Sequence, residues 1–345
     1  MMKRPTVSVI LPTRNNEDCI GSLLSSIFSQ NFEGEIEVLV MDSSNDQTPQ
    51  IVSKYSRIYN IRMVHVRPED YNYGGTRNLG ASMTSGDILV FISTDVEIRD
   101  RNWLRKLVRN LNDPGVAGVY GRQIPKENAS PMEEFFIKYT YPPIRKEYYL
   151  KPGKKLKELF FSNTNSAIKR KVWEKIPLPE MLKSEDQEWA KRAILAGYKI
   201  VYDPEAAVYH SHRYTLKQVF KEYFDSGATM PIVYNCEEIE QESFLKKGLK
   251  YETAEIKYFI SKGYTKIIPY ALFYDFAKFL GYLLGTQCMR MPVWLRKMLC
   301  KKSNHWDRYD NVISEPKIFN RHKQEQIVQK VRSELEYNLT TRVRS

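Results

Sequence analysis

The sequence predicts an α/β fold: a mixed, mostly parallel sheet flanked by helices, with a helical C-terminal extension. Short apolar segments alternate with helix-like segments along the first 120 residues, a pattern typical of βαβ units. The predicted strands are 7–11, 37–41, 62–66 and 87–93, and the predicted helices are 20–28, 47–55 and 76–84. The chain has 345 residues, 42% hydrophobic and 27% charged, which indicates a globular protein with a sizeable core.

The rest of the chain predicts less regular structure, followed by helices. Residues 120–180 are rich in proline and are expected to be irregular, and a helix is predicted at 184–196. Two short strands are predicted at 199–202 and 207–210, on either side of Asp203-Pro204. The chain is expected to be helical from Leu216 to about 303. Residues 304–345 form a polar appendage with one predicted helix at 324–339.

Charge and cysteine content exclude several classes of protein. The net charge is +12, which favours polyanionic partners such as phosphorylated ligands or anionic lipid. The four cysteines form no CxxC pair, so a zinc ribbon and a disulfide framework are not expected, and a reducing cytosol fits. The apolar run at 7–11 is too short for the core of a signal peptide.

Polar motifs follow the predicted strands, where ligands bind in parallel α/β sheets. Neither a GxxxxGK[ST] loop nor a GxGxxG turn after the first strand is present, which argues against P-loop and dinucleotide sites. The motifs that are present run in the order PTRN (12–15), DSS (42–44), NYGGTRNLG (72–80), STD (93–95), SEDQEW (184–189) and HSH (210–212).

In this order and spacing the motifs resemble those of family 2 glycosyltransferases of the GT-A fold, and most of all the bacterial rhamnosyltransferases. The resemblance covers about residues 7–300. It rests on the segments VSVILPTRN, VMDSSNDQT, NYGGTRNLGA, GVAGVYGRQIP, SEDQEWAKRAILAGYKIVYDPEAAVYHSHRYTLKQ and FAKFLGYLLG. It implies a glycosyltransferase domain at 1–215, with a donor half at 1–120 and an acceptor half at 121–215. Residues 216–303 then form a helical, membrane-associating region.

A donor-binding site at the strand ends is what the resemblance implies. Asp42 would accept the N3 proton of a uracil or thymine, with Pro12 and Thr13 beside the base. From the residues alone, Asp42 could instead cap the following helix. Gly75 would let the backbone approach the diphosphate, and Arg77 would clamp a phosphate or a base carbonyl. Thr94 completes the expected set.

A divalent cation, Mg²⁺ or Mn²⁺, is the expected cofactor. Ser93-Thr94-Asp95 occupies the place of the family's DxD motif, with serine where the first aspartate usually stands. Asp95 is therefore the predicted carboxylate ligand, and Glu97 could substitute for the missing one. His210 and His212 are one residue apart and would face the same side of a strand. The resemblance implies a metal or diphosphate contact for one of them, and we favour His212.

The predicted catalytic base belongs to the pair Glu185-Asp186. An inverting transfer needs a group that deprotonates the acceptor hydroxyl, and the resemblance assigns this role to Asp186, with Glu185 as the alternative. The residues alone would favour acids that merely stabilise a helix N-terminus. Asn163, Asn165 and Trp189 are the expected contacts to the acceptor.

Residues 267–284 are the most apolar stretch of the chain. Asp275 and Lys278 near its middle argue against a membrane span, because charge at the centre of a bilayer is costly. The residues leave two interpretations: an interfacial helix on anionic lipid, and a core helix with a solvated basic tail. The resemblance implies a lipid-linked acceptor and so favours peripheral association with the inner face of the cell membrane.

The sequence thus predicts an inverting glycosyltransferase of surface polysaccharide synthesis. Its expected donor is dTDP-L-rhamnose and its expected acceptor a saccharide or lipid-linked oligosaccharide; no nucleic-acid partner is expected. UDP-hexose and UDP-HexNAc donors are alternatives, because they would use the same pyrimidine pocket. Two alternatives come from other classes. A nucleotidyltransferase would need a glycine-rich loop at 13–16, where Thr-Arg-Asn-Asn stands, and a non-catalytic polyanion- or membrane-binding module is suggested by the charge.

Overall fold

The computed structural model describes residues 6–240, 243–301 and 306. Its centre is an eight-stranded sheet with the strand order β3-β2-β1-β4-β7-β5-β8-β6. The strands are β1 (Thr6–Thr13), β2 (Glu35–Asp42), β3 (Ile61–His65), β4 (Ile88–Ile92), β5 (Val116–Ile124), β6 (Lys146–Tyr148), β7 (Asn165–Lys169) and β8 (Lys199–Tyr209). The first four match the four strands expected from the apolar segments.

Helices cover both faces of the sheet and continue beyond it. They are α1 (Ile20–Phe28), α2 (Thr48–Ser56), α3 (Tyr73–Ser82), α4 (Trp103–Arg109), α5 (Pro131–Thr140), α6 (Arg170–Trp173), α7 (Glu185–Leu195), α8 (Leu216–Tyr234), α9 (Phe244–Ser261), α10 (Ile268–Thr286) and α11 (Val293–Leu299). One core cluster joins α1, α2 and α4 to the sheet, and another joins α3, α6 and α7 to its opposite face.

The pairing of the strands makes the sheet mixed. β1 lies between β2 and β4, and β2 pairs with β3, all in parallel. β7 is antiparallel to both β4 and β5, while β5 and β8 are parallel and β6 is antiparallel to β8. The carboxyl ends of β1, β2 and β4 therefore lie side by side, as the predicted mostly parallel sheet requires.

The expectation that 120–180 is irregular is wrong in part. This segment holds the end of β5 together with α5, β6, β7 and α6. Pro131 does not break α5, since it stands at the start of the helix, where a missing N–H costs nothing. The Ser130 hydroxyl caps the same helix by accepting a hydrogen bond from the Glu133 N–H.

Two predicted boundaries also need correction. The two short strands at 199–202 and 207–210 are one strand, β8, that runs through Asp203-Pro204. Its pairing with β5 changes register there, and the proline lies where the ladder is interrupted, which a strand tolerates. Helix α3 begins at Tyr73 instead of residue 76, because the Asn72 side chain caps it by accepting from the Gly75 N–H.

The chain beyond β8 is helical, and α8 packs closely on α10. At Gly281 and Gly285 an added Cβ would lie 2.4 Å and 2.2 Å from backbone oxygens of α8, and at Gly227 it would lie 2.1 Å from the Tyr282 oxygen. These glycines let the two backbones touch. The predicted appendage at 304–345, with its helix at 324–339, lies outside the described residues except for Trp306.

Candidate active site

Four of the predicted donor residues meet at the carboxyl edge of the sheet. Thr13 and Asp42 are register partners at the ends of β1 and β2, and both are buried. Thr94 follows β4, and its hydroxyl donates a 3.0 Å hydrogen bond to the Pro12 carbonyl. The loops after β1, β2 and β4 thus form one continuous floor.

Asp42 does not cap the helix that follows it. Helix α2 begins six residues later, and the Asp46 carboxylate accepts from the Thr48 N–H there. The Asp42 Oδ1 accepts a 3.3 Å bond from the Ser44 N–H. The capping alternative for Asp42 is therefore wrong, and its predicted contact with a base stays a prediction.

Gly74 and Gly75, which precede Arg77, lie close to the segment at 179–180. A Cβ on Gly74 would lie 2.0 Å from the Pro179 carbonyl oxygen, and one on Gly75 would lie 3.3 Å from the Glu180 carboxylate. The Gly75 N–H is already bonded to the Asn72 side chain at 2.9 Å. The expectation that a diphosphate approaches the backbone here is wrong for Gly74, because Pro179 fills that space. For Gly75, which is half-buried and faces the end of the Glu180 side chain, it stays a prediction.

Arg77 is buried and already engaged. Its Nη1 lies 3.1 Å from the Glu185 carboxylate and 3.0 Å from the Tyr73 carbonyl, which accepts from it. Only 7% of the residue is exposed, and its Nε has no hydrogen-bond partner among the described residues. Arg77, on α3, neutralises Glu185, on α7, and its predicted clamp on a phosphate or base stays a prediction.

Asp95, His210 and His212 form a compact group of metal-binding type. Their ligand atoms all lie within 4.8 Å of one another. The Asp95 Oδ2 lies 3.3 Å from His210 Nε2 and 3.6 Å from His212 Nδ1. Burial, and then the neighbouring His210, lower the pKa of His212 to about 4, so its imidazole is neutral at pH 7 and has a lone pair free to coordinate.

Glu97 does not join this group. Its carboxylate lies 3.0 Å from the Arg99 guanidinium and 3.4 Å from the Lys126 ammonium. Glu97 is thus paired with Arg99 and Lys126 and does not point into the group around Asp95. The expectation that it replaces the missing DxD aspartate is wrong.

Gln123 is a residue of the site that the sequence did not reveal. Its Nε2 donates to the Tyr141 hydroxyl at 2.6 Å and to the Ser162 hydroxyl at 3.3 Å, so its Oε1 faces His210 Nδ1 at 2.8 Å. An amide oxygen accepts, so Nδ1 carries a proton and Nε2 is the ring nitrogen that faces Asp95. An imidazole nitrogen and a carboxylate oxygen 3.3 Å apart can both coordinate one metal ion, so this donor set fits a metal ion.

Helix α7 presents the two acids differently. Glu185 is buried in its ion pair with Arg77, whereas Asp186 is half-buried. The Asp186 carboxylate accepts from the Asn163 N–H at 3.1 Å and from the Gln187 N–H at 2.8 Å. Burial, and then the charge of Glu185, raise the pKa of Asp186 to about 7. Of the two acids, Asp186 is therefore the accessible one, with proton affinity suited to a base near neutral pH.

Of the three residues predicted to contact the acceptor, only Asn163 lies beside the pair Glu185-Asp186. The Asn163 Nδ2 lies 3.4 Å from the Glu185 carboxylate. Asn165 is saturated by protein, since its Oδ1 accepts from Trp103 and its Nδ2 donates to the Ala206 carbonyl. Trp189 is fully buried and donates to the Ile176 carbonyl. Acceptor contacts by Asn165 and Trp189 are therefore wrong.

Comparison with known proteins identifies the family. The profile described as Glycosyl transferase family 2 matches residues 8–176. O-antigen chain rhamnosyltransferase RfbN of Salmonella typhimurium is 31% identical over 311 residues, which are 87% of this chain and 96% of the relative. The chain belongs to glycosyl transferase family 2. O-antigen chain rhamnosyltransferase WbaN of Salmonella anatum is 32% identical over 315 residues, 88% of this chain and 96% of that one. The predicted activity class, a glycosyltransferase, is confirmed.

Solved structures confirm the GT-A fold. The mannosyltransferase PcManGT from Pyrobaculum calidifontis, in complex with GDP-Man and Mn²⁺, superposes with a TM-score of 0.57 at 18% identity. That match covers 82% of this glycosyltransferase and 88% of the other chain. Residues 1–349 of S. aureus TarS, in complex with UDP-GlcNAc, give a TM-score of 0.50 at 18% identity, with 93% and 92% covered. At these identities the likeness concerns the fold.

Proposed function

We propose that the enzyme transfers L-rhamnose from dTDP-L-rhamnose to a saccharide acceptor, with inversion at the anomeric carbon, during synthesis of an O-antigen-type surface polysaccharide. The rhamnosyltransferase relatives, matched over most of both chains, support this sugar and this process. The observation that carries the mechanism is Asp186. Its carboxylate is half-buried, has a raised pKa and accepts a hydrogen bond from the Asn163 N–H.

Asp186 acts as the base in this proposal. Its carboxylate takes the proton of the acceptor hydroxyl as that oxygen attacks the anomeric carbon, while the bond from this carbon to the diphosphate oxygen breaks. The electron pair of that bond leaves with dTDP. The attack comes from the face opposite the leaving group, so the configuration inverts. The Asn163 and Gln187 N–H groups hold both carboxylate oxygens and fix their direction.

Asp95, His210 and His212 would hold the divalent cation. When bound, such an ion neutralises charge on the diphosphate leaving group. Two imidazoles and one carboxylate suit Mn²⁺ better than Mg²⁺, which prefers oxygen ligands. Gln123 keeps the His210 Nε2 turned toward the ion. Thr13 and Asp42, on the floor made by the strand ends, would receive the thymine base.

The test of this function separates the base from donor binding. Asp186→Asn should abolish rhamnosyl transfer and leave the affinity for dTDP-L-rhamnose within about threefold, because Asp186 faces the acceptor. Asp95→Asn is the matched variant and should weaken donor binding in Mn²⁺. Loss of donor binding in Asp186→Asn would refute the base assignment.

We also propose that the enzyme works in the cytoplasm, on the inner face of the cell membrane. By length and composition alone, the segment Thr265–Thr286 could cross a bilayer, and only 22% of its most apolar window is buried. Two of its three charged residues, Asp275 and Lys278, face inward as an ion pair, with side chains 10% and 11% exposed. The outward surface of α10 and α11 is therefore apolar, and it carries Phe273, Phe276 and Trp294 with exposures of 69%, 59% and 67%.

A peripheral position fits this surface better than a span. The other face of α10 packs backbone to backbone on α8, and α11 carries two cations, of which Arg296 is buried and Lys297 half-buried. Vesicles of phosphatidylglycerol should carry the enzyme in a flotation assay, and alkaline carbonate should release it. Serine at Phe273, Phe276 and Trp294 together should abolish flotation, whereas Ile58→Ser, an exposed apolar site elsewhere, should not. Resistance to carbonate would indicate a span instead.

A further inference from the structure

A second group of acids lies far along the chain from the active-site residues, between α9 and α10. Glu252 and Glu255 are three residues apart on α9, and Asp275 faces them from α10. Each offers a carboxylate oxygen, and these oxygens all lie within 4.8 Å of one another. A cation bound about 2.4 Å from each oxygen spans such separations.

Glu255 lacks the partners that a buried carboxylate needs. The residue is 0% exposed, and neither of its oxygens has a hydrogen-bond partner among the described residues. One buried oxygen of Glu252 likewise has no partner there. Leaving a buried charged group unpaired is expensive, so the fold must supply something that occupies this space.

Lys278 neutralises only part of the charge. Its Nζ lies 2.6 Å from the Asp275 carboxylate and between 4.9 Å and 5.9 Å from the centres of four aromatic rings, those of Phe136, Tyr223, Tyr251 and Tyr274. With all three carboxyl groups ionised, the one ammonium of Lys278 leaves two negative charges unbalanced.

We propose that Glu252, Glu255 and Asp275 form a binding site for a hard divalent cation, separate from the Asp95 site. One divalent cation matches the two unbalanced charges. A donor set made only of carboxylate oxygens selects Ca²⁺, Mg²⁺ or Mn²⁺ over softer metals. Glu252 and Asp275 also line a cavity of about 890 Å³ between the acceptor half and the C-terminal helices. This cavity gives the ion a way in and room for water ligands.

The bound ion would fasten α9 to α10. A cation bound by carboxylates of both helices would crosslink the helices, so α9 would stay packed against the wall of the cavity. The alternative occupant is protons, shared between the carboxylates, which would also remove the excess charge.

The test measures how many Mn²⁺ ions the full chain binds. Bound Mn²⁺ is obtained from the loss of the electron paramagnetic resonance signal of free Mn²⁺. The Asp95→Asn variant, which lacks a ligand of the first site, should bind one Mn²⁺. Adding Glu255→Gln should remove that ion, and adding Glu69→Gln, a substitution at an exposed acid, should not. Millimolar Ca²⁺ should raise the melting temperature of Asp95→Asn and leave that of Asp95→Asn/Glu255→Gln unchanged.

Either of two results would overturn the proposal. One is an Asp95→Asn protein that binds no Mn²⁺ and shows no shift with Ca²⁺. The other is equal binding with and without Glu255→Gln. If Glu255→Gln does not fold, Asp275→Asn and Glu252→Gln remove other ligands of the same ion and must lower its affinity at least tenfold. A folded Glu255→Gln protein that is more stable and indifferent to metal would assign the cluster to shared protons.

Discussion

Replacing Asp186 with asparagine should stop catalysis and stabilise the enzyme at alkaline pH. The raised pKa of about 7, against an ordinary value of 3.8, means that the folded state holds this proton more tightly than the unfolded chain does. Stability from this group is therefore complete at pH 3 and falls as the pH rises toward 7. Above pH 7 the folded enzyme keeps an ionised, poorly solvated carboxylate.

The size of the effect follows from the shift. About three pKa units correspond to about 4 kcal/mol of destabilisation at pH 8, an upper value because Asp186 is only half-buried. Asparagine cannot accept both N–H bonds that the carboxylate accepts, and one lost bond costs about 1 kcal/mol. The net expectation is a gain of about 2 kcal/mol in the free energy of unfolding at pH 8, and none at pH 4.

Urea unfolding of the two proteins at pH 4, 6 and 8 measures this difference, and release of dTDP in the presence of acceptor measures transfer. The loss of a general base should lower kcat by about 10²-fold to 10⁴-fold. A variant less stable than wild type at pH 8, or one whose stability follows the same pH curve, would refute the buried-base reasoning. Glu188→Gln, also on α7 but held by Lys191 and Arg192, is the matched control and should be destabilised at every pH.

Three further substitutions test other parts of the site. Glu185→Gln removes the charge beside Asp186, so the pH at which kcat/KM reaches half its maximum should fall below that of wild type, as a pH–rate profile would show. Gln123→Leu frees the His210 ring and should weaken Mn²⁺ binding about tenfold to a hundredfold in a titration, while the far-ultraviolet spectrum stays unchanged. Gly74→Ala places a methyl group against the facing backbone and should cost about 3 kcal/mol in urea unfolding.

Each of these has a result that would count against it. If the pH–rate profile of Glu185→Gln matches that of wild type, the charge of Glu185 does not raise the pKa of Asp186. Unchanged Mn²⁺ affinity in Gln123→Leu would mean that the tautomer of His210 is set elsewhere. Gly248→Ala, where an added Cβ meets nothing within 4 Å, should be tolerated, and equal losses at both glycines would remove the steric argument for Gly74.

The sequence predicted the strands of the first 95 residues well because their signals are local. Buried parallel strands appear as apolar runs that end in polar residues, so the positions of Thr13, Asp42 and Asp95 after strands were predicted without a structure. Helices and strands within residues 120–180 were missed where proline dominated the pattern. Pro131 starts a helix and Pro204 lies in an interrupted ladder, and only tertiary pairing distinguishes these roles from a break.

Partners that lie far apart in sequence could not be predicted from local patterns. Arg77 meets Glu185 across 108 residues, so an arginine expected to clamp a phosphate is also the counterion of Glu185. Gln123 meets His210 only because β5 and β8 are neighbours in the sheet. Trp189 and Asn165 carry side chains typical of sugar sites, but burial decides their role, and burial depends on the whole fold.

Turnover across a panel of nucleotide sugars, with Mn²⁺ and then with EDTA, tests the donor and the metal in one experiment. We expect release of nucleoside diphosphate from dTDP-L-rhamnose, little from UDP-glucose, UDP-galactose or UDP-GlcNAc, and loss of activity with EDTA that Mn²⁺ restores. Preference for a UDP-sugar would contradict the rhamnose donor, and full activity in EDTA would contradict the metal role of Asp95, His210 and His212.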